Sequence, residues 1–318
     1  MLRALFLLLS RAHWAQSAIT AFPLSRRMAR RFVAGSTIEE TIPVLQALNR
    51  QGMFATLDFL GESVATADEA RRASDEYLRA LRHIAEAGVR ANVSLKLTQF
   101  GLDIDTSLCV DNVLRVVEQA QADGTFVRID MEGTPHTDRT LAVVDTLRRS
   151  HPWVGIVLQA YLYRTEADLK RLVAAGTRIR LCKGAYQEPP DLAFPQKADV
   201  DRSYVHLAGL LLDATAHADS PQAERDGRIP PLAALATHDE AMIEAVKAQI
   251  EQRGLPKRSI EFQMLFGIRR DLQEALVQQG YPVRIYVPYG THWYPYFMRR
   301  LAERPANVWF LLSNLARR

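Results

Sequence analysis

Eight short apolar runs alternate along this 318-residue chain with longer amphipathic stretches of helical period. The runs predicted as strands are residues 53–60, 89–97, 126–132, 154–161, 178–185, 232–239, 259–265 and 282–288. Mostly apolar strands that alternate with helices are typical of a parallel sheet covered by helices on its faces. Eight such units predict a (β/α)8 barrel of the TIM type.

The stretches between the strands predict helices, among them residues 74–87, 111–121, 165–175, 200–216, 239–253 and 269–279. Several end at a glycine just before the next strand, where the left-handed conformation that terminates a helix is available. A doubly wound open sheet is the alternative architecture for eight strands, and such a sheet binds dinucleotides on a GxGxxG turn. No two glycines here are separated by a single residue, which favours the barrel.

The length fits either two domains of about 150 residues or one barrel of about 200–250 residues with an extension. We predict a helical extension over residues 1–52, with its clearest helix at 37–49, and a catalytic barrel over 53–318. The apolar residues 5–9 are too few for a signal peptide and are interpreted as the first turns of an amphipathic helix. The loop 187–197 is expected at the functional end of the barrel, and the loop 219–231 as a plain surface connection at the opposite end.

Composition and motifs exclude several classes of protein. The net charge of +4, from 40 basic and 36 acidic residues, is too small to indicate nucleic-acid binding. The two cysteines form no disulfide framework, so a reducing compartment is expected. No apolar run approaches the ~20 residues of a membrane span. The sequence has no GxxxxGK[ST], HExxH or GxSxG motif, and its histidines show no metal-ligand spacing.

Polar side chains gather at the carboxyl ends of the predicted strands, where active sites of such barrels lie. They are Lys96, Asp130, Gln159, Lys183, His238, Gln263 and Tyr286. Each alone could be structural, but their presence at one end of the barrel predicts an enzyme's pocket. Arg180 precedes Lys183 in the same run and could face the barrel interior, where a cation would stabilise a reduced flavin.

The last predicted helix carries a second cluster, in which Tyr296, Arg299, Arg300 and Glu303 are spaced three or four residues apart. A guanidinium group matches a carboxylate with two parallel hydrogen bonds. The cluster therefore predicts a site for a small carboxylate beside a tyrosine ring.

Eight segments occur in a family order: VSLKLTQFG, RIDMEG, VLQAYL, RLCKGAY, ATHD, EFQMLFG, RIYVPYG and YFMRRLAER. Together they resemble the monofunctional bacterial proline dehydrogenases, from residue 53 to the end of the chain. The resemblance implies a distorted barrel that holds FAD without a Rossmann cradle. It also implies oxidation of L-proline to Δ1-pyrroline-5-carboxylate by hydride transfer to the flavin, the first step of proline catabolism to glutamate.

The resemblance also implies roles for individual residues. Asp130 and Arg180 match positions beside substrate and flavin, and the implied carboxylate ligands are Lys96, Arg299 and Arg300. The walls of the ring pocket match Tyr286, Tyr296, Leu265 and Tyr186. Flavin contacts match Met131, Gln159, Arg180, Lys183, Gly184, Ala185, Thr237, His238 and Gln263. Glu303 matches a residue beside the cofactor that pairs with Lys96. The loop 187–197 departs from the longer members of the family, so Lys197 is not assigned as a phosphate ligand.

The implied partners are L-proline, a membrane quinone as electron acceptor and a pyrroline-5-carboxylate dehydrogenase downstream, with no nucleic acid and no metal. A cytoplasmic location is expected. Contact with the inner face of the membrane is a further hypothesis, based on Arg26, Arg27, Arg30 and Arg31.

The sequence leaves two alternative functions open. One is a Schiff-base lyase of the aldolase type that uses Lys96 or Lys183 as nucleophile. The other is a non-catalytic sensor of proline or flavin.

Overall fold

The computed structural model describes residues 29–61, 63–217, 220–223 and 226–303, except the side chains of Arg299 and of residues 301–303. Eight parallel strands form a closed barrel in sequence order, with β8 paired to β1. They are β1 (Phe54–Phe59), β2 (Ala91–Leu95), β3 (Val127–Ile129), β4 (Val154–Gln159), β5 (Ile179–Cys182), β6 (Ala233–Ala236), β7 (Ile260–Leu265) and β8 (Val283–Tyr289). The predicted TIM-type barrel is confirmed.

Helices alternate with the strands around the barrel. They are α1 (Ile38–Arg50), α2 (Ala67–Glu86), α3 (Thr106–Ala122), α4 (Thr134–Arg148), α5 (Thr165–Ala174), α6 (Lys197–Thr215), α7 (Glu240–Gln252), α8 (Arg270–Gln278) and α9 (Trp293–Glu303). Two short 3-10 turns lie at Leu97–Phe100 and Lys257–Ser259.

The N-terminal ends of two helices were predicted too late, since α2 begins seven residues before position 74 and α3 five before position 111. The first turn of α2 is polar, and that of α3 opens on the polar pair Thr106 and Ser107. Their starts are fixed by caps instead: Thr66 forms a capping box with Glu69, and Asp105 accepts a hydrogen bond from the N–H of Leu108.

The barrel is distorted at its first and last helices. Helix α1 packs against β1, β8 and α2, and so lies beside the barrel wall. Helix α9 packs instead in an apolar cluster with Leu60, which follows β1, and Ile268, which follows β7. It therefore lies at the carboxyl end of the strands. The predicted N-terminal turns at 5–9, and the basic residues Arg26 and Arg27, lie outside the described residues.

The prediction that the loop 219–231, before β6, is a plain surface connection is wrong. The carbonyl of Gly227 accepts a hydrogen bond from the Arg284 side chain in the barrel interior, and the carbonyl of Arg228 accepts one from Asn92, 3.0 Å away. Ile229 is buried. This loop covers the amino-terminal end of the barrel.

No helix in the described ranges is both long enough and apolar enough to cross a bilayer.

Candidate active site

A hydrogen-bonded cluster lies at the carboxyl end of the barrel, among strands β1, β2, β3 and β8. Lys96, directly after β2, donates to Asp58 Oδ1 at 3.0 Å and to the hydroxyl of Tyr286 at 3.2 Å. Its Nζ is 3.4 Å from Asp130 Oδ2, and the Tyr286 hydroxyl donates to the same oxygen at 2.8 Å. Alternate residues of a strand share one face, which brings these side chains into the barrel.

Arg180 joins this cluster from the opposite side of the barrel. From β5 it donates to Asp130 Oδ1 at 2.9 Å and to Ser94 Oγ at 3.0 Å, and its Nε donates to Gln263. Ser94 Oγ also donates to Asp130 Oδ1 at 2.6 Å. The Asp130 carboxylate therefore has hydrogen-bond donors on both of its oxygens.

The network continues downward from Arg180 toward the amino-terminal end of the barrel. Gln263 donates to Glu261, and Glu261 forms an ion pair with Arg284 at 2.7 Å, both side chains being 1% exposed. Arg284 also donates to the carbonyl of Ala55 at 2.8 Å. Hydrogen bonds and ion pairs therefore connect Arg180 to Arg284 along the barrel axis. The loop before β6 contacts Arg284 at the amino-terminal end.

Burial and neighbouring charges shift the pKa values of Asp58 and Asp130, the two carboxylates at the carboxyl end of the barrel, in opposite directions. Burial raises the pKa of Asp58 above its ordinary value, and the charge of Asp130 adds to this although Lys96 opposes it. Burial also acts to raise the pKa of Asp130, but the charges of Lys96 and Arg180 outweigh it and hold that pKa below the ordinary value. For Lys96, the charges of Asp58 and Asp130 outweigh burial and raise the pKa well above its usual range. Both shifts favour the charged forms, which are the ammonium group of Lys96 and the carboxylate of Asp130.

The ring of Tyr286 lies between two of these cations. The Arg180 guanidinium is 5.2 Å and the Lys96 ammonium 6.0 Å from the ring centroid. Burial raises the pKa of the Tyr286 hydroxyl well above 10, and the negative charge of Asp130 adds to the shift. Tyr286 therefore stays protonated and can donate to Asp130.

Helix α9 brings a further cation to this end of the barrel. Arg300 is 9% exposed, and its guanidinium lies 5.0 Å from the ring centroid of Tyr296. Tyr296 belongs to the apolar cluster of α9, against which the predicted pocket residue Leu265 packs. The predictions for the side chains of Arg299 and Glu303 lie outside the described part of the structure.

Several predicted cofactor residues line the rim beside this cluster. Gln159 donates to the carbonyl of Glu132 at 3.0 Å and accepts from the N–H of Ala185 at 3.2 Å, which links β4 to the residues after β5. Met131 is buried beside Glu132, and Tyr186 is half-buried. Gln159 is the last residue of β4, whereas Met131 and Ala185 follow their strands, because β3 and β5 end earlier than predicted.

Two lysines share two aspartates on the other side of the rim. Lys183 donates to Asp201 and, at 2.7 Å, to Asp239; Lys197 donates to Asp201 and lies 3.3 Å from Asp239. Lys197, unassigned from the sequence, is thus adjacent to the predicted ligand Lys183. The two ammonium groups come from β5 and the start of α6.

Thr237 and His238 adjoin this lysine pair. The Thr237 hydroxyl accepts from the N–H of Asp239 at 3.1 Å. The N–H of Leu265 donates to His238 Nε2 at 2.8 Å, so the proton of the neutral imidazole is on Nδ1.

Sequence reasoning missed four members of the central network: Asp58, Ser94, Glu261 and Arg284. Asp58 is the polar residue near the end of β1, the single strand to which no polar end residue was assigned. The signal was present, because Asp58 is among the last three residues of the predicted strand 53–60. Glu261 and Arg284 lie two residues before Gln263 and Tyr286 on the same strand faces, so their inward direction follows from the pleat.

A glycine at the rim tests how tightly this part of the site is packed. Gly184 has φ of +131°, and a Cβ there would lie 2.3 Å from the Tyr161 ring. Gly184→Ala is expected to destabilise the fold by about 1–3 kcal/mol through backbone strain and overpacking. Gly176→Ala is the control, because Gly176 has φ of +64° but open space around it, and should cost about 1 kcal/mol. Chemical denaturation measures both; equal losses would contradict the close contact with Tyr161.

Comparison with known proteins identifies the family of this chain. The family model described as proline dehydrogenase matches residues 41–312. Proline dehydrogenase 1 of Bacillus subtilis strain 168 is 38% identical over 318 residues, which is 100% of both chains. The proline dehydrogenase of Deinococcus radiodurans is 39% identical over 293 residues, which is 91% of this chain and 90% of that one.

A solved structure shares the fold. It is proline utilization A of Bdellovibrio bacteriovorus inactivated by N-propargylglycine, with a TM-score of 0.78 and 27% identity. The alignment covers 87% of this chain and 32% of that one, so this chain spans about a third of the solved protein. The sequence relatives, in contrast, are matched along nearly their whole length. The chain therefore belongs to the proline dehydrogenase family.

Proposed function

We propose that this chain oxidises L-proline to Δ1-pyrroline-5-carboxylate at the mouth of its barrel, with FAD as the hydride acceptor. The observation that carries the proposal is the cluster of Lys96, Asp130, Arg180 and Tyr286. Three of its members carry charges, and Tyr286 donates a hydrogen bond to Asp130. They lie at the carboxyl end of the strands, where barrel enzymes bind their substrates. Membership of the proline dehydrogenase family supports the choice of substrate.

The cations of this cluster suit an amino acid substrate. Lys96 keeps its charge because its pKa is raised by Asp58 and Asp130 against the effect of burial. Arg300 supplies a guanidinium from α9, and Arg299 is the neighbouring candidate on the same helix. We propose that these groups bind the proline carboxylate. Tyr286, Tyr296, Leu265 and Tyr186 would enclose the ring, which fixes the orientation of the reacting carbon.

The chemistry of the rim residues fits a flavin dinucleotide. Lys183 and Lys197, held together by Asp201 and Asp239, suit a pyrophosphate. We assign the remaining cofactor contacts to Met131, Gln159, Arg180, Gly184, Ala185, Thr237, His238 and Gln263, with Glu303 as a further candidate. Bound FAD would supply the acceptor for the hydride from the ring carbon beside the amine. Arg180 would stabilise the negative charge that hydride transfer creates, and Asp130 holds Arg180 in place.

Replacing Arg300 tests the carboxylate site. Arg300→Met keeps an unbranched apolar side chain but removes the guanidinium group, so the KM for proline is expected to rise by about 10–100-fold, as for the loss of a charged hydrogen bond. The flavin content should remain that of the parent. Arg269→Met, which breaks ion pairs with Glu240 and Asp271, is the control. An unchanged KM in Arg300→Met would remove Arg300 from the substrate site.

We propose further that electrons pass from the reduced flavin to a quinone and that a dehydrogenase specific for the product acts next. The family resemblance supports both steps. In a cytoplasmic enzyme, a membrane quinone would require contact with the inner face of the membrane, for which the basic residues near position 30 are the candidates.

The structure weighs against a Schiff-base lyase. A nucleophilic lysine needs a lowered pKa. The pKa of Lys96 is raised by its two carboxylate partners, and Lys183 is paired with Asp201 and Asp239. A lyase would be trapped covalently on lysine by borohydride with substrate. A non-catalytic sensor would bind proline without turnover.

Turnover with an artificial electron-accepting dye separates these functions. The purified protein is expected to reduce the dye when L-proline is supplied and to form a product lighter than proline by two hydrogens, as identified by mass spectrometry. Borohydride should leave no adduct. Binding of proline without dye reduction would overturn the proposed function in favour of the sensor.

A further inference from the structure

Asp58 is a buried carboxylate at the barrel mouth that has no part in the function proposed above. Its side chain is 1% exposed, and its Oδ1 is 3.0 Å from Lys96 Nζ. The titratable groups that face it are Lys96 after β2, Asp130 after β3, Tyr286 and Tyr289 on β8, and Tyr77 on α2. Lys96 is the cation of this set, so Asp58 and Asp130 compete for one ammonium group.

The proposed reaction requires a proton acceptor. The secondary amine of free proline is protonated at neutral pH, with a pKa near that of lysine, about 10.4. A protonated nitrogen has no lone pair with which to form a C=N bond. Hydride therefore cannot leave the neighbouring carbon until one N–H proton has been removed. The inference rests on the proposed function, because it concerns the same substrate.

The two mouth carboxylates differ in their capacity to take this proton. Asp130 accepts hydrogen bonds from Arg180, Ser94 and Tyr286, so protonation would cost it several stabilising contacts. Asp58 accepts from Lys96, and its burial disfavours the anion. Binding of the substrate carboxylate would add a third anion around Lys96. Repulsion between these anions then favours protonation of the carboxylate with fewer hydrogen-bond donors, which is Asp58.

We propose that Asp58 accepts the amine proton of proline and that Lys96 carries it. Lys96 Nζ first gives a proton to Asp58 Oδ1, 3.0 Å away, and so gains a lone pair. One N–H bond of the substrate ammonium then breaks as its proton passes to this lone pair. After both transfers the lysine is again an ammonium group, the Asp58 carboxyl is neutral, and the substrate amine has its lone pair. A bound flavin would then accept the C–H electron pair as hydride, while the nitrogen lone pair forms the C=N bond. Asp58 acts through Lys96 and need not touch the substrate.

The test compares the holoenzyme with Asp58→Asn in anaerobic rapid mixing, across pH. We expect reduction of the flavin by L-proline to slow by about 100-fold at pH 7, in the range of general-base effects. The rate should recover as the pH approaches that at which free proline loses its own proton. Tetrahydrofuran-2-carboxylate, which has an oxygen in place of the amine, serves as a second probe. Its Kd, read from the flavin absorption, should change by less than about threefold, because binding it requires no proton transfer.

A purely structural role predicts a different pattern. If Asp58 only positions Lys96, the analogue and proline should weaken by the same factor and the pH profile should keep its shape; this would overturn the inference. Asp103→Asn, which breaks a surface ion pair with Arg139, is the matched control and should leave all these quantities unchanged. If Asp58→Asn does not fold, Asp58→Glu replaces it. This variant should keep the acid limb of the profile at a shifted pH, and an unshifted limb would refute proton acceptance at position 58.

The parent enzyme separates this inference from the proposed function. Failure of L-proline to bleach the parent flavin would refute the proposed function. Bleaching of the parent, together with a parent-like pH profile in Asp58→Asn, would refute the role of Asp58 alone.

Discussion

Arg180→Met is expected to slow the reduction of bound flavin by L-proline by about 10²–10³-fold, the usual effect of removing one preorganised electrostatic contact. The side chain is buried and donates to Asp130, Ser94 and Gln263. Its loss removes the cation that would stabilise charge on the reduced flavin and releases Asp130 from one partner. Proline binding should weaken by less than about tenfold, because Lys96 and Arg300 remain to bind the carboxylate.

The control for this prediction is Arg178, which lies just before β5, two residues before Arg180. Arg178 donates to the carbonyl of Pro230 at 2.7 Å, toward the loop that closes the amino-terminal end. Arg178→Met therefore tests the loss of an arginine away from the mouth, and the reduction rate should match that of the parent. Single-turnover reduction and proline titration measure the two effects. If Arg180→Met weakens binding as much as it slows reduction, Arg180 is a substrate ligand rather than a contributor to flavin chemistry.

Glu261→Gln is expected to destabilise the protein by about 3–5 kcal/mol, the cost of leaving one member of a buried ion pair without its partner. Both side chains of the Glu261–Arg284 pair are 1% exposed, so Arg284 would remain buried without its ion-pair partner. Glu166→Gln breaks the exposed i,i+4 pair with Lys170 and should cost only about 0.3–0.5 kcal/mol. Urea denaturation of both variants measures the difference.

A double variant sharpens this prediction. Glu261→Leu combined with Arg284→Met removes both charges of the pair. This double variant should be more stable than Glu261→Gln, which leaves the Arg284 charge buried without a partner. A double variant less stable than the single one would mean that the hydrogen bonds of Arg284 to Ala55 and Gly227, rather than its charge, dominate at this position.

The fold could be predicted from the sequence because the eight strands differ so clearly from the helices in apolar period. The polar residues at the strand ends also led to Lys96, Asp130, Gln263 and Tyr286, since the pleat alone decides which side chains face inward. Arg180 was placed correctly by the same reasoning, two residues before Cys182.

The remaining features depend on contacts between distant segments. No local pattern shows that Gly227 accepts a hydrogen bond from Arg284, or that Lys197 shares two aspartates with Lys183. The position of α1 beside β1 and β8, with α9 at the mouth, depends on packing of the closed barrel. Asp58 was missed for a different reason, because β1 was the one strand to which no polar end residue was assigned.

The visible absorption spectrum of the purified protein, recorded without oxygen before and after addition of L-proline, tests the central claim most directly. The account predicts a yellow protein whose flavin absorption is bleached by L-proline, because the hydride leaves proline for a flavin held at the barrel mouth. A colourless protein, or a flavin band unchanged by saturating L-proline, would contradict it.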